Sequence, residues 1–145
     1  MLDTSVLSLL APGRVDASPA FLEWVATQDE TLHFSTVSIA EIGQGIAKLG
    51  RLGGTRRAEA LSAWLEETMT IFVERVLPFG ALPARVAGEL ADRATASGFR
   101  PSAPDLYIAA TAEAHGLTVL TRNLRHFEPL ALAAKPIDPL HQLPG

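Results

Sequence analysis

The chain contains no cysteine. That excludes disulfides, thiolate metal ligands and a cysteine nucleophile, and it suits a reducing cytoplasm. No uninterrupted apolar run reaches the length needed to span a bilayer. The first ten residues are partly apolar, but Asp3 interrupts them and no basic segment precedes them, so they read as neither signal peptide nor membrane span. A basic excess is missing too: the formal net charge is −4. Broad, sequence-blind binding to nucleic acid draws on Lys and Arg, so it is disfavoured. An acidic enzyme can still act on RNA if a metal and a few local arginines supply positive field. Gly50, Gly53 and Gly54 form no nucleotide loop, because no P-loop lysine follows them. His33, His115, His126 and His141 lack the spacing of metal ligands. There is no repeat, low-complexity tract or linker.

What remains is the patterning of one compact domain over residues 1–145. Leu2 to Val6 reads as a short strand. Ser18-Pro19 opens a helix, with serine at the N-cap and proline at the first helical position. Leu32 to Thr36 is strand-like. Ser38 to Lys48 reads as a helix, with Ile39, Ile42 and Ile46 on one side. Thr55 to Val73 has the apolar period of a long helix. Val76 to Phe79 is a strand, Pro83 to Ala96 a helix, and Ser102 to Ala114 a largely apolar helix stopped at Gly116. Leu117 to Thr121 has the strongest strand character. A turn or short helix follows at Asn123 to Phe127, and Pro136 to Leu140 suits a last strand. Strands alternating with helices predict an α/β domain of three layers, α/β/α, around a mainly parallel, roughly five-stranded sheet.

In such sheets ligands sit beyond the carboxyl ends of the strands. Asp3, Glu41, Asp105 and Asn123 are all predicted to reach that edge. Oxygen donors converging there would hold a hard divalent cation. Each residue also has a purely local account. Ser38-x-x-Glu41 is a capping-box pattern. Asp105 complements a helix dipole. Asn123 can be an N-cap. Asp3 is hardest to explain locally, because an acid within an apolar strand is costly to bury unless paired or metal-bound. Thr4, Ser5, Ser35, Thr121 and Arg122 are candidates to steady these groups or touch substrate. Arg51, Arg56, Arg57, Arg122 and Arg125 are the basic candidates, with Arg122 nearest the site because it adjoins Asn123.

The stretches LDTS, SIAEIGQGI at 38–46, PSAPDLYIAATAEAHGLTVLTRN at 101–123 and the closing RHF resemble the PIN-domain family in order and spacing. They are similar in particular to VapC-type toxin ribonucleases of toxin–antitoxin pairs, FitB-like members included. The resemblance covers nearly the whole chain and is most specific over 103–127. It implies that Asp3, Glu41 and Asp105 bind the metal, Mg²⁺ or Mn²⁺. Asn123 matches a fourth position that is often Asp. Ser5 stands where the family usually has Asn.

The implied activity is endoribonuclease cleavage of RNA phosphodiester bonds by a metal-activated water, with Asp3, Glu41, Asp105 and Asn123 as the catalytic set. The implied partners are the RNA substrate, a cognate antitoxin covering the active site, and a second copy of the chain in a homodimer. DNA would be reached only through the antitoxin, and no membrane is involved. Exposed apolar faces of the helices at 19–27 and 38–48 would form the antitoxin groove. The rival expectation is a catalytically weak binding module of the same fold, acting through an antitoxin and DNA-regulatory complex.

Overall fold

The computed structural model of the protein describes residues 1–28 and 30–144. The chain opens with Leu2 in a parallel bridge and then turns into helix α1 (Thr4–Leu7). Helix α2 (Pro19–Thr27) follows, then strand β1 (Phe34–Ser35), helix α3 (Thr36–Arg51) and helix α4 (Thr55–Ile71). Strand β2 (Val76–Leu77) precedes helices α5 (Ala81–Ala96), α6 (Ala103–Ala114) and the single turn α7 (Leu124–Phe127).

β1 and β2 form a regular parallel pair, Phe34 against Val76 and Ser35 against Leu77. Parallel pairing continues beyond them as single bridges, Leu2 with Phe34, Leu2 with Leu120, and Leu120 with Ile137. The bonds are short: Leu2 N–H to His33 O is 2.8 Å, Asp3 N–H to Leu120 O 3.0 Å, and Thr121 N–H to Ile137 O 2.9 Å. The sheet is therefore parallel, as expected, but its regular part has two strands. The expected strands at 2–6 and 117–121 shrink to Leu2 and Leu120. The first stops because Asp3 caps a helix: its carboxylate accepts the Val6 N–H at 3.0 Å, which turns the chain within one residue.

Side chains alternate across these segments and feed two cores. Met1 and Val119 join Leu90, Ala94, Ile108, Phe127 and Leu130 against α5 and α6. Leu2, Phe34 and Leu120 join Val6, Phe21 and Leu32, with Ile39, Ile42 and Trp64 packed alongside. Each large apolar side chain fully removed from water contributes about 1.5–3 kcal/mol. The paired segments are held between helices on both sides. Their carboxyl ends, at Asp3, Ser35 and Thr121, come out at one edge.

Several helix boundaries follow from caps. Ser18 Oγ accepts the Phe21 N–H at 3.2 Å and starts α2 where expected. Ser102 does the same for α6. Helix α3 starts two residues earlier than predicted, at Thr36, because Ser35 rather than Ser38 is the cap, accepting the Val37 N–H at 3.1 Å. Gly98 and Gly116 follow α5 and α6 at φ +80° and +64°, the left-handed turn that ends a helix. Among the described residues no helix is long and apolar enough to cross a membrane.

Candidate active site

Asp3 is the centre of a polar network in otherwise apolar surroundings. It is only 3% exposed. Its Oδ1 accepts from Ser5 Oγ at 2.7 Å and from the Val6 N–H at 3.0 Å, and its Oδ2 accepts from Thr121 Oγ1 at 2.7 Å. Burial pushes the Asp3 carboxyl above its ordinary range. Bonds from Thr121, Ser5 and Val6 oppose that, and the charge of Asp105 adds to it. Asp3 and Asp105 thus feel each other although they are far apart in sequence.

The hydroxyls relay order outward from Asp3. Thr121 Oγ1 donates to Asp3 and accepts the Asn123 N–H at 2.9 Å. Ser5 Oγ donates to Asp3 and accepts the Arg122 N–H at 3.1 Å. The backbone at 122–123 is thereby fixed against the start of the chain. The Arg122 guanidinium reaches Asp16 at 3.2 Å.

Glu41 lies in the second turn of α3, at its sixth residue, because the helix begins at Thr36. That removes the capping-box account, which needed Ser38 at the N-cap. Instead Thr4 Oγ1 donates to Glu41 Oε2. Thr4 has one hydroxyl proton, so the buried Ser38 hydroxyl, 3.1 Å away, donates into Thr4. Asp105 is the third residue of α6. Ser102 Oγ accepts its N–H at 3.3 Å and donates to its Oδ2 at 2.7 Å. His126 Nδ1 lies 3.1 Å from the same oxygen. Asp105 does stand in the first turn of α6, where a carboxylate complements the helix dipole, and it also meets His126. Asn123 sits at the N-cap position of α7 but its side chain caps nothing, so its local account fails.

A model of the PIN domain matches residues 1–131. The chain belongs to the PIN domain family. It is 37% identical over 134 residues to plasmid stability protein StbB of Pseudomonas syringae pv. tomato, covering 91% of this chain and 93% of that protein. It is also 37% identical over 133 residues to VapC ribonuclease Y4jK of Sinorhizobium fredii, covering 91% and 92%. Among solved structures it resembles FitAcB from Neisseria gonorrhoeae, with a TM-score of 0.81 at 32% identity over 97% of this chain and 98% of that one.

In this PIN domain the predicted residues are brought together unevenly. Asp3, Thr4, Ser5, Thr121, Arg122 and Glu41 are linked by hydrogen bonds or chain adjacency, and Asp105 is linked to Asp3 by charge. Ser35 is not part of this network. It is fully buried and serves as the α3 cap.

The donor set is all oxygen, which suits a hard divalent cation in kind. A cation would also relieve the repulsion between Asp3 and Asp105. The arrangement is not a closed cage, however. Among the described residues no three acidic or histidine side chains are grouped so as to hold a metal ion. The physical reason is local satisfaction. Asp3 is turned to Ser5 and Thr121, Glu41 to Thr4, and Asp105 to Ser102 and His126. Among the described residues Glu41 Oε1 and Asp105 Oδ1 accept no such bond.

Sequence reasoning missed three contributors. His126 carried no signal because Asp105 is 21 residues away. Ser38 looked like a cap and is a buried link to Thr4. Asp16 sits in a loop with no pattern at all. The two helices expected to form the antitoxin groove differ in what they expose. The apolar face of α2 is spent on the core through Phe21, leaving Leu22 exposed. A hollow beside Glu41 runs between α3 and α4, lined by Ile42, Ile46, Leu61 and Trp64 with Arg14 and Arg57.

Proposed function

We propose that this PIN domain is a metal-dependent endoribonuclease and the toxin of a toxin–antitoxin pair. The observation that carries the reading is the buried Asp3 carboxylate, held by three donors, within electrostatic reach of Asp105 and adjoining the Thr4–Glu41 bond. A relative named VapC ribonuclease and a structural neighbour of the FitA–FitB pair support it. The five parallel-paired segments act as one five-stranded sheet within a single domain, and that sheet presents the site at its carboxyl edge.

Asp3, Glu41 and Asp105 would hold Mg²⁺ or Mn²⁺, and Asn123 would add a neutral oxygen. The chemistry such an ion supplies when bound is Lewis-acid activation of water and of the phosphate. This chain's residues do the positioning. Thr121 and Ser5 fix both oxygens of Asp3. Thr4, backed by Ser38, aims Glu41. Ser102 and His126 aim Asp105. Arg122, next to Asn123, faces substrate phosphate. A cognate antitoxin covers the site, two copies pair as a homodimer in the cytoplasm, and DNA is bound only through the antitoxin. A FitAB complex solved on a DNA fragment, 31% identical, is in keeping with that last point.

The test is cleavage of total RNA with and without Mn²⁺, beside an Asp3→Ala control. Mn²⁺-dependent cutting that the control lacks supports the reading, and an inert parent protein with Mn²⁺ present overturns it. One observation favours a second reading. Among the described residues the carboxylates are not grouped for a metal, and the fourth position is an uncharged Asn123. That suits a catalytically weak module acting through an antitoxin complex.

A further inference from the structure

Five of the twelve Lys and Arg residues of this acidic chain lie around Glu41 and the α3–α4 corner. Arg14 and Arg57 line the hollow that contains Glu41. Arg56 and Arg57 line the next one, with Gly13. Lys48 and Arg51 line a third, which again contains Glu41. Glu41 is the sole carboxylate among the residues lining these three hollows.

All five cations are exposed. Arg14 has Asp16 at 4.0 Å. Among the described residues Lys48, Arg51, Arg56 and Arg57 form no ion pair, so their charge faces outward uncompensated. Lys48 and Arg51 have a local account, since they occupy the last turn of α3 and complement its dipole. Arg56 and Arg57 have the opposite. They sit in the first turn of α4, at the positive end of the helix, with no acid there and no side-chain cap. Cations at that end work against helix stability. Arg57 also lies against the preceding loop: its Nη1 stands 3.0 Å from where a Cβ on Gly13 would be, and Gly13 has φ +77°. The loop thus leaves room for an arginine that the helix itself disfavours.

We infer that Arg14, Arg57, Arg56, Lys48 and Arg51 form a track that binds successive phosphates of a single RNA strand as it passes Glu41. The track follows α3 for about 15 Å from Glu41 to Arg51, at 1.5 Å per residue. It rests on the ribonuclease reading and adds which side of the site the strand occupies. A net negative protein gains local affinity for a polyanion this way while the rest of its surface repels non-specific binding.

The test is fluorescence anisotropy of a short labelled single-stranded RNA in EDTA, where no cleavage occurs, titrated with salt. Each phosphate neutralised contributes about −0.7 to the slope of log K against log salt for single strands. Arg56→Ala/Arg57→Ala and Lys48→Ala/Arg51→Ala should each weaken binding and flatten that slope by about 1.4, two contacts' worth. Melting temperature should stay level or rise for the Arg56/Arg57 pair, which shows that the fold is intact. Arg85→Ala, at an exposed position of α5, should leave the slope unchanged. Slopes unaltered by both pairs overturn the track. So does displacement of the RNA by polyglutamate at equal charge, which would mark a surface for acidic protein. If Mn²⁺-dependent cleavage persists while the slopes do not move, the track alone fails. If the parent neither binds nor cuts RNA, the ribonuclease reading fails with it.

Discussion

His126 Nδ1 and Asp105 Oδ2 lie 3.1 Å apart, across 21 residues of sequence, and Ser102 Oγ meets the same oxygen at 2.7 Å. Two donors on one carboxylate oxygen fix the rotation of Asp105 and leave Oδ1 available. Groups that orient a metal-binding carboxylate typically matter about 10–100-fold. His126→Ala should weaken Mn²⁺ binding by about tenfold in isothermal titration. His126→Asn should restore most of it, because its side-chain N–H can take the place of Nδ1–H. Equal affinities for the parent and His126→Ala would show that the imidazole only fills space.

Asp3 sets the pH behaviour of stability. Burial raises its carboxyl pKa above the ordinary 3.8. The native state then holds a proton, just above pH 3.8, that the unfolded chain has lost. Stability on this account falls as pH rises through that window and stays lower at neutral pH. Asp3→Asn removes the penalty. It should raise the metal-free melting temperature at pH 7, by about 2–4 °C for each kcal/mol recovered. The gain should vanish below pH 3.8, where both forms are uncharged. Millimolar Mg²⁺ should raise the melting temperature of the parent and not of Asp3→Asn. Thermal melts from acid to neutral pH read all of this, and a destabilised Asp3→Asn at pH 7 would make Asp3 a simple structural residue.

Asn123 is the uncharged member of the set, and its amide caps nothing. Asn123→Asp adds a charge near the other acids. It should tighten divalent binding and change RNA cleavage only modestly. Asp105→Asn should abolish cleavage. If the natural protein proves inert and Asn123→Asp alone confers cutting, the binding-module reading is the correct one.

Thr4 joins Glu41 to the buried Ser38. Thr4→Val keeps the shape but strands the Ser38 hydroxyl and releases Glu41. An unsatisfied buried hydroxyl costs about 1–3 kcal/mol. A lower melting temperature and weaker Mn²⁺-dependent cleavage are both expected. Thr4→Ser, which keeps the hydroxyl, should recover both. A Thr4→Val protein that is less stable but fully active would separate the two roles.

Helix starts were legible where the signal is local. Ser18-Pro19 acts through neighbours within one turn, and the apolar run from Ser102 to Ala114 ends at Gly116, so the residues alone foretold α2 and α6. The start of α3 was not legible, because Ser35 and Ser38 are both capable caps. Thr4, from the first segment, engages Ser38, and the chain enters the helix at Ser35. Long strands at 2–6 and 117–121 were over-read for the same kind of reason. Apolar β-branched runs signal burial, but only the cap at Asp3 and the bridge at Leu120 decide how much of each run pairs.

The sequence by itself determined the alternating α/β order, the helices that flank the paired segments, and the acids placed near their ends. Those properties depend on residues within four positions of one another. Only the tertiary structure decided that Thr121 and Ser5 consume both oxygens of Asp3, that His126 meets Asp105, and that Arg57 folds against Gly13 beside the hollow holding Glu41. Each of those contacts joins segments whose proximity is set by the packing of whole helices on the parallel segments, and no local pattern encodes it.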